Sequence, residues 1–271
     1  MNSPEEDASH ITPHVGLFVT CLVDLHRPGV GFAAIKLLEQ AGCLVSVPDS
    51  QTCCGQPAFN SGDDGSSRQI AMNTIMAFEG FDYIVVPSGS CAGMMIEHYP
   101  ALFKDEPAWL SKAKAFSDRC HELLSFLVDV RGMTDFGARF DQSVTYHDSC
   151  SGLRELGIHR QPRQLMQDIE GLELTEMQDT DVCCGFGGTF CVKYPDISER
   201  MVSDKVALAS QTGASTLLGG DMGCLLNISG RLCRLDQTMS VYHVAEVLAG
   251  MADGPAIGKG SGVSFTPPVQ K

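Results

Sequence analysis

Residues 181–190 read "DVCCGFGGTF". Two thiols sit on adjacent residues, and three glycines follow within four positions. A disulfide between neighbouring cysteines strains the peptide that joins them, so the pair is built for something other than bonding to itself. The chain uses this device twice, because "TCCGQP" begins at Thr52.

The two pairs belong to a repeat. Cys21 is separated from Cys53 by 31 residues, and Cys54 from Cys91 by 36; Cys150 is separated from Cys183 by 32, and Cys184 from Cys224 by 39. Each half reads C…CCG…C, with corresponding cysteines offset by 129, 130, 130 and 133 positions. Four matches at nearly one offset imply a duplicated structural unit. The flanks agree. "VGLFVTC" and "SVTYHDSC" read as short strands running into the first cysteine of each half. "AAIKLLEQAG" places Ala34, Leu37, Leu38 and Ala41 on one helical face before Gly42, and "QPRQLMQDIEG" stands in the same place in the second half. "CLVSVP" and "LELTEM" have strand character and lead into the two CCG loops. "SRQIAMNTIMAFEG" and "ERMVSDKVALASQTG" then read as helices before the strands "YIVVPSGSC" and "STLLGGDMGC".

This order of elements predicts an α/β protein of two pseudo-repeated three-layer units with parallel sheets, one CCG motif in each. The expected division is an N-terminal tail at 1–14, a first unit at 15–99, a helical connection at 100–140, a second unit at 141–250 and a disordered, Gly- and Pro-rich tail at 251–271. Leu123, Phe126, Leu127 and Val130 give the connection an apolar stripe. Val241, Val244, Ala245 and Leu248 predict a C-terminal helix covering the second unit. All eight matched cysteines fall at or just beyond strand C-termini, the edge at which open α/β sheets bind ligands. Helix N-termini and glycine backbone would there aim N–H groups at an anionic centre.

The net charge of −14 argues against nucleic-acid and anionic-membrane partners, which select a basic face. No apolar run approaches the ~20 residues of a membrane span, and "MNSPEEDASH" does not read as a secretory signal. A cytoplasmic chain is expected, in which the twelve cysteines serve as ligands or redox groups rather than disulfides. Zinc usually shows itself in C-x2-4-C knuckles, and neither half has one. Adjacent thiolates suit a multi-iron cluster with several separate corners, and four cysteines match its ligand count. Iron–sulfur is therefore favoured, with zinc and structural or redox thiols as alternatives.

These residues also carry a resemblance. The duplicated C…CCG…C pattern resembles the cysteine-rich CCG domain found in the B subunit of heterodisulfide reductase and in the glycolate oxidase iron–sulfur subunit. "PSGSC", "YHDSCSGLRELGI", "VCCGFGGTF" and "GDMGCLLNISG" are similar to the lactate utilization protein A family, from about Val15 to Ala249. The resemblance implies an iron–sulfur electron-transfer protein of L-lactate oxidation, acting with lactate utilization proteins B and C on a small 2-hydroxy acid. It implies as ligands Cys21, Cys53, Cys54 and Cys91 for one cluster, and Cys150, Cys183, Cys184 and Cys224 for the other. The heterodisulfide reductase pattern ends each motif in C-x-x-C, but here Ser88 and Asp221 replace the earlier cysteine. Two four-thiolate [4Fe–4S] clusters are thus the simpler expectation than five-thiolate noncubane ones. A thiol or disulfide reductase of that type is the rival function, and a zinc-bound module without redox activity is another.

Other residues have a functional and a plain reading. His147 and Asp148 invite an acid/base role at the lactate carbon, but equally orient the loop and hydrogen-bond a sulfur. Arg154 could clamp a substrate carboxylate, or pair with Glu155 or a cluster's negative charge. Cys191 is an alternative ligand or a buried free thiol. Cys43, Cys120 and Cys233 are expected in the core, and His98 and His243 in structural roles. "CCGFGGTF" matches neither G-x-G-x-x-G after a strand nor a P-loop, so no NAD, flavin or ATP site is expected. The chain reads as one component of an oxidoreductase complex rather than a complete enzyme.

Overall fold

A computed structural model describes residues 12–259. The remaining residues, which include most of both expected tails, lie outside that range. Two four-stranded sheets are built from short strands. The first holds β1 (His14–Leu17), β2 (Leu44–Ser46), β3 (Tyr83–Val86) and β4 (Cys120–Glu122) in the order β2-β1-β3-β4. The second holds β5 (Arg139–His147), β6 (Glu170–Leu174), β7 (Thr216–Gly219) and β8 (Ser240–His243) in the order β6-β5-β7-β8. Every pairing is parallel. The register repeats as well: Val15 lies opposite Tyr83 and Val144 opposite Thr216, positions offset as the cysteines are. The duplicated α/β architecture read from the cysteines is the architecture of the chain.

Helices cover the sheets, so the central strands are apolar along their length; Ile84, Val85, Val86, Leu217 and Leu218 are all fully buried. The helix Pro28–Gln40 shows how local signals set an element. Proline at its first turn needs no N–H partner. Val30, Ala33, Ala34, Leu37 and Leu38 form its buried face, and Gly42 at φ +76° ends it in the left-handed region.

Three expectations are corrected. Each sheet has a fourth strand where the sequence predicted helix alone. Cys120-His121-Glu122 is too short and polar to show a period, and becomes a strand because β3 offers it an open edge. Val241 likewise lies in β8, and the C-terminal helix is only Val244–Leu248. That helix does not cap its own unit but packs on Pro28–Gln40 of the first. In the same way Leu123–Val130, an α turn that widens into a π turn, packs on Arg160–Gln167 of the second unit. Finally, residues 251–259 belong to the fold. Ala256 and Ile257 are buried, the Ile257 N–H donates to Val241 O (2.8 Å), and Arg27 donates to Pro255 O (2.6 Å).

The two units interlock through paired contacts. Arg27 of the first meets the buried Glu246 of the second at 2.8 Å. Arg160 and Gln161 of the second reach Asp129 of the first at 2.6 and 2.7 Å. Between these contacts, the short helix Gly89–Gly93 lies directly on the helix Cys150–Arg154. A β-carbon at Gly89 would stand 2.6 Å from Ser149 Oγ and 3.0 Å from the Gly152 backbone, which has no room to retreat. Gly89→Ala is therefore expected to destabilise the chain by about 1–3 kcal/mol, whereas Gly254→Ala, with open space around it, changes little. Urea unfolding of the two variants checks this, and equal stability contradicts the interlocked packing.

Candidate metal centre

Each thiol set is assembled from three strand ends. Thr20 caps the helix Cys21–His26 by accepting the Val23 N–H, and Ser149 caps Cys150–Arg154 by accepting the Gly152 N–H at 3.2 Å. Cys21 and Cys150 thus stand at helix N-termini, where the backbone presents unpaired donors to an anion. After each adjacent pair the chain must turn back sharply. Gly55 (φ +87°) and Gly185 (φ +78°) take the left-handed conformation and return their N–H groups to Cys53 Sγ at 3.4 Å and Cys183 Sγ at 3.3 Å. The carbonyl of the second cysteine in each pair is clamped, Cys54 by the Tyr99 hydroxyl (2.9 Å) and Cys184 by the Asn227 amide (2.8 Å). Cys91 and Cys224 enter from the helices that follow β3 and β7.

The expected ligands come together. Cys21 and Cys53 sulfurs lie 3.9 Å apart, and Cys54 and Cys91 sulfurs 3.3 Å apart. All four line a cavity of about 190 Å³ that Phe186, Gly188 and Asp221 of the second unit close. In the second set Cys184 and Cys224 sulfurs lie within 4.8 Å of each other and of a His147 ring nitrogen. All twelve cysteines are free thiols. The sulfurs compete for charge. S–H donation from Cys21 and Cys54, aided by the Gly55 N–H, pulls Cys53 far below a thiol's ordinary range, while Cys21 and Cys54 are pushed up. Donation from Cys150 and Cys184 does the same to Cys183. The sulfurs of a set thus cannot all carry charge unaided, and four thiolates together require a compensating cationic centre. The donor set, the glycine-turned N–H groups and the enclosed space fit an iron–sulfur cluster.

Ser88 and Asp221, at the positions of the missing cysteines, are helix caps. Ser88 Oγ accepts the Cys91 N–H (3.3 Å), and Asp221 Oδ1 accepts from Gly223 N (3.1 Å) and Cys224 N (3.4 Å). They also join each other: Asp221 Oδ2 takes the Ser88 hydroxyl and the Ser90 N–H, both at 2.9 Å. The carboxylate accepts four donors and is 2% exposed. The two departures from the C-x-x-C pattern are one cross-unit bond.

His147 and Asp148 do not act as a pair. Arg163, which the sequence reading missed, grips Asp148 with two bonds at 2.5 and 2.8 Å and also holds Glu176. No motif marks an ion pair between residues 15 apart. His147 is 1% exposed with neither ring nitrogen hydrogen-bonded, and burial lowers its pKa to about 3. Lys205, also missed, is fully buried and donates to Thr180 O at 3.0 Å. Arg154 is exposed and donates to Asp181 O (2.6 Å). Cys191, expected as an alternative ligand or a buried thiol, is only half-buried in the turn Phe190–Lys193, its sulfur facing Gly188 O at 3.8 Å. Cys43 and Cys120 are buried as expected, but Cys233 is exposed, since its place on the Met222–Arg234 helix turns it from the sheet. His243 caps the last helix through Nδ1.

Comparison with known proteins agrees with this geometry. The cysteine-rich domain family, CCG, matches residues 15–96 and 144–229. Over 234 residues the chain is 48% identical to lactate utilization protein A of Bacillus subtilis, covering 86% of this chain and 98% of that one. The chain belongs to the lactate utilization protein A family. Its Exiguobacterium member is 49% identical over 238 residues, covering 87% of this chain and 97% of that protein. Among solved structures, a hypothetical protein from Helicobacter pylori shares the fold with a TM-score of 0.64 and 10% identity over 93% of this chain, which spans half of that one. Both domain matches stop before β4 and β8, so the fourth strands lie beyond the part of the family that its cysteines define.

Removing the Asp221 carboxylate strands four donors in a buried site. Asp221→Ala is expected to lower stability by roughly 2–4 kcal/mol, with Asp221→Asn, which keeps an acceptor, losing less. Thermal and urea unfolding measure it, and an Ala variant as stable as the parent contradicts the cross-unit role.

Proposed function

We propose that the chain is an iron–sulfur electron-transfer subunit in the oxidation of L-lactate, or a similar 2-hydroxy acid, to the keto acid. The observation that carries the reading is the convergence of two sets of four free thiols at the carboxyl edges of two parallel sheets, in a member of the lactate utilization protein A family. Cys21, Cys53, Cys54 and Cys91 hold one [4Fe–4S] cluster, and Cys150, Cys183, Cys184 and Cys224 the other. When bound, each cluster supplies one-electron storage. Oxidation of a 2-hydroxy acid releases two electrons and two protons, so two such sites match the electron count.

The reading assigns removal of hydride from the substrate carbon to another protein of the system. His147 is enclosed and Asp148 is held by Arg163, so neither of these two is free to take a proton from a substrate. Lactate utilization proteins B and C are the proposed partners, and the cytoplasm the proposed location. Among the described residues no helix is long and apolar enough to cross a membrane.

The test uses anaerobic extract of the host from which this chain has been deleted. Adding back the cluster-loaded protein should restore L-lactate-dependent dye reduction, with the protein's reduced-cluster EPR signal growing as lactate is consumed. Cys54→Ser and Cys184→Ser should each lose at least 90% of that restoration. Full restoration by either variant contradicts electron transfer through the two sets. A protein that ignores lactate yet cleaves a disulfide with a low-potential donor belongs to the reductase reading instead.

A further inference from the structure

We infer that the two sets hold their clusters at different reduction potentials, with the second set the higher, because His147 supplies it with an N–H donor that the first set lacks. The inference rests on the iron–sulfur reading above. Leu17 lies opposite Val85 and Tyr146 opposite Leu218, so Phe18 and His147 are the next residues of equivalent strands. Each stands three residues before the first cysteine of its set. Phe18 is a fully buried hydrocarbon. His147, equally enclosed, brings a ring nitrogen within 4.8 Å of both Cys184 and Cys224 sulfurs.

A neutral imidazole always carries one N–H, and leaving such a donor buried without an acceptor is destabilising. Neither nitrogen of His147 has a hydrogen-bond partner, oxygen or sulfur, before a cluster is bound. The neighbouring carboxylate, Asp148, is engaged by Arg163. The acceptors left to this ring are sulfurs, and they become strong acceptors as cluster-bound thiolates.

A second asymmetry has the same sign. The helix Asp64–Ala77 buries Ser67, Ala71, Thr74 and Ile75, and the helix Pro195–Gln211 buries Ser198, Val202, Lys205 and Val206 at identical spacing. A lysine therefore stands behind the second set where the first has a threonine. Burial lowers the Lys205 pKa, and the Asp148 carboxylate with the Cys184 and Cys224 sulfurs opposes that. Asp221 lines the cavity of the first set and caps the Cys224 helix of the second, where its carboxylate disfavours charge on Cys150 and Cys224 and so opposes these effects, muted by the four donors it accepts. A cluster becomes more negative on reduction, so donated N–H groups and a nearby cation favour the reduced form and raise the potential. An electron entering at the first set then passes downhill to the second.

The test is an EPR-monitored redox titration of the anaerobically purified full chain, with iron and sulfide measured on every sample. Wild type should show two separate one-electron waves. His147→Phe, which copies the first unit, should lower the upper wave and leave the lower one in place. His147→Gln, which keeps an N–H, should recover most of the difference. An upper wave unmoved by His147→Phe, or movement of the lower wave instead, overturns the inference. Should the Phe variant lose its iron, the wild-type protein still decides. Labelling with 15N-histidine should give weak nitrogen coupling in the signal of the upper-potential cluster alone. Its absence there, or coupling strong enough for an Fe–N bond, overturns the inference. Wild type without iron and sulfide defeats the iron–sulfur reading itself, a distinct result.

Discussion

Four sulfurs drawn into one small space cannot all ionise in one another's presence, and the fold is organised around that constraint. In each set two S–H groups and a glycine N–H draw one sulfur, Cys53 or Cys183, far below a thiol's ordinary range, while the two sulfurs that donate to it, Cys21 and Cys54 or Cys150 and Cys184, are pushed up. A centre carrying several positive charges relieves the conflict, and the backbone is shaped to receive one. No single loop supplies four such ligands. They arrive from the ends of three neighbouring parallel strands, which require right-handed crossovers and hence the covering helices. The order β2-β1-β3, repeated as β6-β5-β7, follows from that delivery.

Delivery from three strands also explains why the units are not independent. The Gly89–Gly93 helix that carries Cys91 rests on the Cys150 helix, and the Cys21–His26 helix meets the Cys224 helix. Asp221 completes the connection by capping one ligand-bearing helix and accepting two donors from the loop that starts the other. Each unit's closing helix then packs on its neighbour. The arrangement fixes the two sets relative to each other. It also lets the environments diverge, with Phe18 and Thr74 around one set and His147 and Lys205 around the other.

Much of this was legible in the chain because metal-type ligands constrain spacing more tightly than packing does. The offsets of Cys21, Cys54 and Cys91 against Cys150, Cys184 and Cys224 reveal the duplication, and with it the paired parallel sheets and the sheet edge. Elements beyond the last ligand leave no such trace. Cys120–Glu122 is a strand only because β3 has a free edge, and residues 251–259 pack despite their Gly and Pro because Val241 and Ser229 bond to Ile257. The partners that define the second site were equally hidden. Arg163 with Asp148, and Asp221 with Ser88, join positions 15 and 133 apart through no motif, and Lys205 reads in sequence as an ordinary exposed helix cation.

The most direct test is the metal content of the full chain purified without oxygen, with EPR of the reduced sample. Two four-thiolate clusters predict about eight irons and about eight acid-labile sulfides per chain, falling to about half in Cys54→Ser or Cys184→Ser. About two zincs per chain and no sulfide would contradict the account, and would make the thiol sets structural sites rather than carriers of electrons.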